Sequence, residues 1–406
     1  MKIKNSTISN YLLWIIFSLT FLGFYAILLL VFNVGKSELS RQLTIPMRLL
    51  IGASCGLLLI INIKNKSPHL KWFLPWVFIY ILRIFIDYNN NEDFYISFSE
   101  LMFFFASFVV IPFIGLSKVN YSKINFKKLY NVILISALAF TSLSILLYGR
   151  FLGQVGRLSA STAKEAVISP LILSYCGALA IGVISFYLLY AKKTKKYIKL
   201  LSLVTLALAV IPFFLGASRG SIFALFLPFV MMVISNLSFK NILKYIFLFT
   251  IIIFLLGYLD EYLGSGLLNR FMGTSEAIEQ GGSSASRLDI WNKSLSQFTD
   301  FPFFGDRLNT VDVDYYPHNI YIEVLQATGI IGFVPFIVLF FKGMKASFNI
   351  FKRHAEYAWI PVFFLQATMQ NMFSGAVYTA AWFWTSLAVV ISLNYSLKIK
   401  YKYENF

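Results

Sequence analysis

The stretch "YYPHNIYIEVLQATGIIGFVPFIVLFF", residues 315–341, sets a Pro-His-Asn triplet directly in front of a long apolar run. Within residues 319–341 the only charged side chain is Glu323. A helix of about 20 apolar residues crosses about 30 Å of hydrocarbon, so the run is read as a membrane span. Its polar leader, Pro317-His318-Asn319, then falls at the water boundary and at a helix start.

The composition outside this stretch agrees. The chain has 406 residues, 58% of them hydrophobic and 13% charged, with a mean hydropathy of +0.72. Soluble domains are about 45–50% apolar and about 25% charged. The fold class expected is therefore an all-α polytopic membrane protein. Apolar stretches at 11–32, 44–63, 70–87, 96–116, 129–149, 167–191, 198–216, 220–238, 242–259, 319–341, 357–372 and 376–397 predict about 12 transmembrane helices. No internal repeat or low-complexity linker divides them, so a single transmembrane domain, 1–406, is expected. The first run is too long for a signal-peptide core and no small-residue cleavage site follows it, so it is read as a retained span. Cys55 and Cys176 lie inside apolar runs, which argues against a disulfide.

Charge placement sets an orientation. With a cytoplasmic N-terminus and alternating loops, 23 of the 35 Lys and Arg residues fall on the inner side. Of the 18 acids, only Glu356 and Glu404 do. The positive-inside rule then places both termini in the cytoplasm. The net charge of +17 reflects topology, and no nucleic-acid partner is expected.

Residues 260–317 form one large periplasmic loop between spans 9 and 10. In it the segment from Ser286 predicts a short helix, with Ser286 and Asp289 as a capping pair. Leu288, Trp291, Leu295 and Phe298 would form its apolar face, and Pro302 would end it. The "DVD" at 312–314 supplies two acids, but a hard cation needs more converging oxygens.

Several outer-side residues have chemistry to offer. "GASRGS", residues 216–221, leaves Arg219 at membrane depth, either snorkelling from a tight hairpin or facing a cavity. Arg287 falls in the first turn of the loop helix, where backbone N–H groups and a planar guanidinium suit an anion; an exposed loop arginine is the other reading. His318 can exchange a proton near neutral pH or can simply cap its helix. Arg48, Arg83 and Arg157 lie at the same outer level, Asn319 and Glu323 beside His318. Arg83 is spaced to pair with Asp87. One layer of arginines suits a phosphate at the headgroup plane better than it suits an ion path across the membrane.

Taken in order, the SRG turn, "SRLDIW", "FPFFGDRLN" and "PHNIYIEVLQATGIIG" resemble the bacterial O-antigen polymerase/ligase superfamily. The shared region corresponds to residues 200–341. "GRLSAS" at 156–161 resembles a further family segment, but "ISP" at 168–170 stands where that segment usually reaches Asn-Pro.

The resemblance implies a GT-C-like, metal-independent glycosyltransferase of the bacterial inner membrane, with its active site facing the periplasm and no cofactor. Arg219, Arg287 and His318 match the family's catalytic residues, and Arg48, Arg83, Arg157, Asn319 and Glu323 are expected to bind pyrophosphate or glycan. Donor and acceptor would be undecaprenyl-pyrophosphate-linked oligosaccharides, with membrane lipid and a chain-length regulator protein as further partners. The "PHN" form and the SRG turn favour a polymerase of O-antigen or capsular polysaccharide. The alternatives are a ligase that uses lipid A-core as acceptor and, in another class, a polysaccharide flippase or transporter.

Overall fold

The computed structural model describes residues 5–22, 27–28, 31, 38–90, 96–154, 156–163, 167–191, 194–236, 239–273, 283–313 and 315–404. Part of the first expected span, 23–26, 29–30 and 32, and Asp314 of the "DVD" lie outside them. The described residues are helical, without a strand.

In chain order the principal helices are α1 (Asn5–Thr20), α2 (Glu38–Ile61), α3 (Leu70–Asn89), α4 (Phe98–Ser117), α5 (Phe126–Tyr148), α6 (Pro170–Tyr190), α7 (Lys196–Gly216), α8 (Arg219–Ser235), α9 (Phe239–Tyr262), α10 (Leu267–Met272), α11 (Ser283–Asp300), α12 (Ile320–Arg353), α13 (Trp359–Phe373) and α14 (Ala381–Glu404). Among the described residues, six segments are long and apolar enough to cross a membrane: Thr44–Ile61, Phe98–Ser117, Phe126–Phe151, Pro170–Tyr190, Lys196–Gly216 and Ile320–Arg353. Helices also lie within the described parts of the other six expected stretches. They are shorter, as in α8 and α13, or carry charge, as α3 does with Lys71, Arg83 and Asp87.

The chain divides into two compact units. The first comprises Met1–Ser54, Ser122–Met272 and Ser347–Met369. Its centre is aromatic: Tyr130 stacks on Tyr187 with ring centroids 3.3 Å apart, and Trp359 meets Tyr130 edge-on at 5.6 Å. The second comprises Cys55–Tyr121, Gly273–Ala346 and Gln370–Phe406. There Phe73 stacks on Phe113 at 3.9 Å, Trp76 on Trp384 at 4.5 Å, and Tyr80 on Phe105 at 4.9 Å. Between lipid-embedded helices there is no hydrophobic drive to associate, so van der Waals packing of such rings carries the contact, each pair worth about 0.5–1.5 kcal/mol.

One feature of the second unit governs its loop. α12 is broken at Gly329, whose φ of 57° and ψ of −163° are not helical. The amides freed by the break are taken up by the preceding loop: Ile330 N–H donates to Pro302 O at 2.9 Å and Ile331 N–H to Phe303 O at 3.2 Å. In return Asp306 N–H donates to Gln326 O at 2.9 Å. This exchange satisfies backbone groups that hydrocarbon would leave unpaired. The backbones approach so closely that only glycine fits at 305 and 329. A Cβ on Gly329 would overlap Phe303, one on Gly305 would overlap Ala327, and both residues have positive φ. "FPFFGD" and "ATGIIG" are therefore two halves of one joint.

The loop helix α11 starts at Ser283, three residues before the expected Ser286 cap. Its buried stripe also differs from the expected one. Leu288 and Leu295 are exposed, whereas Ser294 and Gln297 are buried. The neighbour of α11 is polar chain, which demands hydrogen bonds: Ser294 Oγ and Thr310 Oγ1 lie 2.9 Å apart, and Gln297 bonds Asp306, Asn309 O and Val311 N–H.

Gly329→Ala is expected to lower stability by about 2–4 kcal/mol through backbone strain and overlap. Thermal unfolding of the purified protein in detergent checks this, against Gly52→Ala, a helical glycine with open space around it.

Candidate functional site

In the second unit, α11 and the start of α12 carry four of the expected residues, Arg287, His318, Asn319 and Glu323. Trp291 Nε1 donates to Pro317 O at 2.8 Å and so fastens the Pro-His-Asn triplet to α11. Arg287 lies one helical turn before Trp291, on the same face. His318 adopts φ 58°, a left-handed conformation that a histidine holds only when its surroundings impose it. Its ring sits 5.1 Å from that of Tyr315 and 4.7 Å from that of Tyr316. Half-burial disfavours the imidazolium, and the Arg287 charge disfavours it further, so the pKa falls to about 4. At neutral pH the imidazole is thus unprotonated, with a nitrogen lone pair able to accept a proton or orient a hydroxyl.

Asn319 follows as the N-cap of α12, accepting through Oδ1 from the N–H groups of Tyr321 at 3.0 Å and Ile322 at 3.3 Å. Glu323, one turn further, is buried, and both carboxylate oxygens are engaged. Oε1 accepts from Tyr80 Oη at 3.0 Å and Oε2 from Val377 N–H at 2.9 Å. The structure therefore gives these two residues anchoring contacts that hold the end of α12 beneath His318. Glu323, Tyr315, Tyr316 and Tyr378 also line a small cavity.

Arg83 has a similar task. Its Nη1 contacts Asp87 Oδ1 at 3.2 Å and donates to Asp306 O, while Nη2 donates to Phe304 O at 3.0 Å and Gly305 O at 2.9 Å. Asp87 Oδ2 in turn accepts from Leu308 N–H at 2.8 Å. The Arg83–Asp87 pair clamps the loop that fills the Gly329 break.

The first unit holds the other arginines. Ala217, with φ 38°, turns the chain between α7 and α8, and Arg219 opens α8. The turn is tied to α6 by hydroxyls: Ser174 Oγ lies 2.6 Å from Ser221 Oγ and accepts from Ser218 N–H at 3.3 Å. Two further arginines converge here. Arg157 Nε donates to Gly216 O at 3.2 Å and Arg270 Nη1 to Ala217 O at 3.0 Å. Burial and the neighbouring Arg219 charge push the Arg270 guanidinium below its usual value. Arg270 sits on α10, whose N-terminus is held by Asp260 accepting from Leu267 N–H at 2.8 Å and Leu268 N–H at 2.9 Å. Three arginines thus gather at one turn. Arg270 carries no motif that would mark it in the sequence, because only the fold brings "LLNRFM" back to residues 216–219. Arg48 lies half-buried on α2 of the same unit. Among the described residues, no group of three or more His, Cys, Asp or Glu side chains is gathered as a metal site would require.

Residues 204–337 match the family model described as O-antigen ligase. No curated protein matches the chain. The matched region runs from α7 to the middle of α12 and includes Arg219, Arg270, Arg287 and His318.

Titration of His318 by NMR is expected to give a midpoint near pH 4, and Arg287→Gln should move it upward by removing a repelling charge. The sign for stability follows from linkage: the unfolded imidazole, with a pKa of about 6.5, takes up its proton first. The contribution of His318 is thus present above about pH 6.5 and is lost as pH falls toward 4. In His318→Asn this part of the pH dependence should vanish, as acid-induced unfolding curves would record.

Proposed function

Because residues 204–337 carry the signature of the O-antigen polymerase/ligase superfamily, we propose that this membrane protein transfers a glycan from undecaprenyl pyrophosphate to a sugar hydroxyl of another lipid-linked oligosaccharide. The observation that carries the proposal is the pair of cationic settings described above, on "GASRGS" and on the Arg287–His318 segment, both inside the matched region.

The chemistry follows from those residues. An acceptor hydroxyl attacks the anomeric carbon, the C–O bond to pyrophosphate breaks, and negative charge gathers on the leaving group. Arg219 and Arg287 are assigned to that charge. Guanidiniums held in place at a low-dielectric boundary stabilise it more in the transition state than in the ground state. Arg157 and Arg270, oriented by the carbonyls of Gly216 and Ala217, reinforce the field at Arg219. His318 is assigned to the acceptor hydroxyl, as acceptor of its proton or as its orienting partner. With a pKa near 4 it is a weak base, so its larger task is to fix the oxygen's direction, any proton it takes passing on to the departing pyrophosphate or to water. Asn319, Glu323 and Arg83 position this segment. The donor's own pyrophosphate supplies the driving force, so the assignment needs neither nucleotide nor metal.

The same proposal includes twelve spans, cytoplasmic termini and a periplasmic site, which the basic inner loops support. A chain-length regulator protein remains the expected protein partner. A ligase that uses lipid A-core as acceptor shares all of these parts. The "PHN" triplet and the SRG turn favour the polymerase.

Arg219→Ala, Arg287→Ala and His318→Ala should each leave membrane insertion intact and cut polymer formation. Each arginine should cost on the order of 2–4 kcal/mol of barrier, about 30- to 10³-fold in rate. Arg287→Lys should be impaired as well, since an ammonium lacks the planar fork. The assay is the purified protein given a lipid-pyrophosphate oligosaccharide, alone or with lipid A-core, and read as a ladder on a gel. Normal ladders from all three alanine variants would refute the assignment, and a product formed only with lipid A-core would make the protein a ligase.

A further inference from the structure

The first unit carries an open cleft of about 1000 Å³, lined by none of the residues given a role in the chemistry above. It lies where the N-terminal end of α5, the C-terminal end of α6 and the turn between α12 and α13 meet. Its volume is that of a ligand cleft, not of a packing defect. Lys123, Lys127, Lys352 and Arg353 line it against a single acid, Glu356, and all five are exposed. Aromatic side chains make up another part of the lining. Phe126 and Tyr357 meet edge-on at 4.9 Å, and Trp359 is buried against Phe126 at 6.4 Å.

The lining thus has two characters, cationic and apolar. A free phosphate would use only the first. A two-part ligand, an anionic headgroup attached to hydrocarbon, would use both. The location agrees, because these residues end membrane helices in loops whose excess of lysine marks the cytoplasmic side. Basic pockets between helix ends on that side suit anionic lipid headgroups.

We propose that this cavity binds the phosphate headgroup of an anionic phospholipid, held by Lys123, Lys127, Lys352 and Arg353, with the start of its acyl chain along Phe126 and Trp359. The site is independent of the glycan chemistry and stands or falls without it.

Native mass spectrometry of the delipidated full-length protein, titrated with phosphatidylglycerol, phosphatidylcholine or glycerol 3-phosphate, tests the proposal. One phosphatidylglycerol is expected to bind in preference to phosphatidylcholine, and glycerol 3-phosphate should not displace it at equal concentration. Each basic residue removed should weaken binding about fivefold, so a K127Q/K352Q/R353Q variant should lose about a hundredfold. A K64Q/K66Q/K398Q variant, with exposed lysines outside the cavity neutralised, should bind as wild type does. Should the triple variant not survive purification, K127Q and K352Q alone are each expected to show the fivefold loss. Equal binding by wild type and cavity variants would overturn the proposal, as would an equal loss in the outside variant. Displacement by glycerol 3-phosphate would overturn it too, since the site would then recognise the anion alone.

Discussion

The second unit depends on an exchange of backbone hydrogen bonds between a loop and a broken helix. Gly329 interrupts α12, and the carbonyls of Pro302 and Phe303 accept the amides that the interruption exposes. A helix in lipid cannot leave such groups bare, so break and loop require each other. Everything around His318 is hung from this joint. Arg83 grips the carbonyls of residues 304–306, Asp87 holds Leu308 N–H, and Gln297 of α11 bridges Asp306, Asn309 and Val311. The loop segment thereby supports a histidine in an unusual conformation.

The arginines divide by what surrounds them. Arg83 faces a carboxylate and three carbonyls of one protein unit, which engage both of its terminal nitrogens. Arg287 faces an imidazole whose protonation it opposes, and Arg219 faces another arginine. Like charges brought together are costly. The arginines thus differ in setting: Arg83 clamps loop backbone, while Arg287 and Arg219 each lie beside another basic group.

Much of this was open to sequence reading, for physical reasons. Apolar length locates helices well, since about 20 residues per crossing is a constraint few other structures share. The Arg83–Asp87 spacing announced a pair because side chains four apart meet on a helix. The buried face of α11 was misjudged, since hydrophobic periodicity assumes an apolar neighbour and the neighbour is loop backbone. Arg270 was invisible for a related reason: its importance lies in a contact with Ala217, which no local pattern encodes. The glycines at 305 and 329 were present in the quoted motifs, but that they face one another is a tertiary fact.

The break at Gly329 also separates two registers. A continuous helix turns about 100° per residue, so deleting one residue twists everything beyond it by that angle. Residues 320–328 are indexed instead by the loop, through Gln326 and its bonds to Arg307 O and Leu308 O at 3.1 Å. The same loop also takes the amides of Ile330 and Ile331 beyond the break, so the two halves of α12 are each indexed to one stretch of chain and not directly to each other.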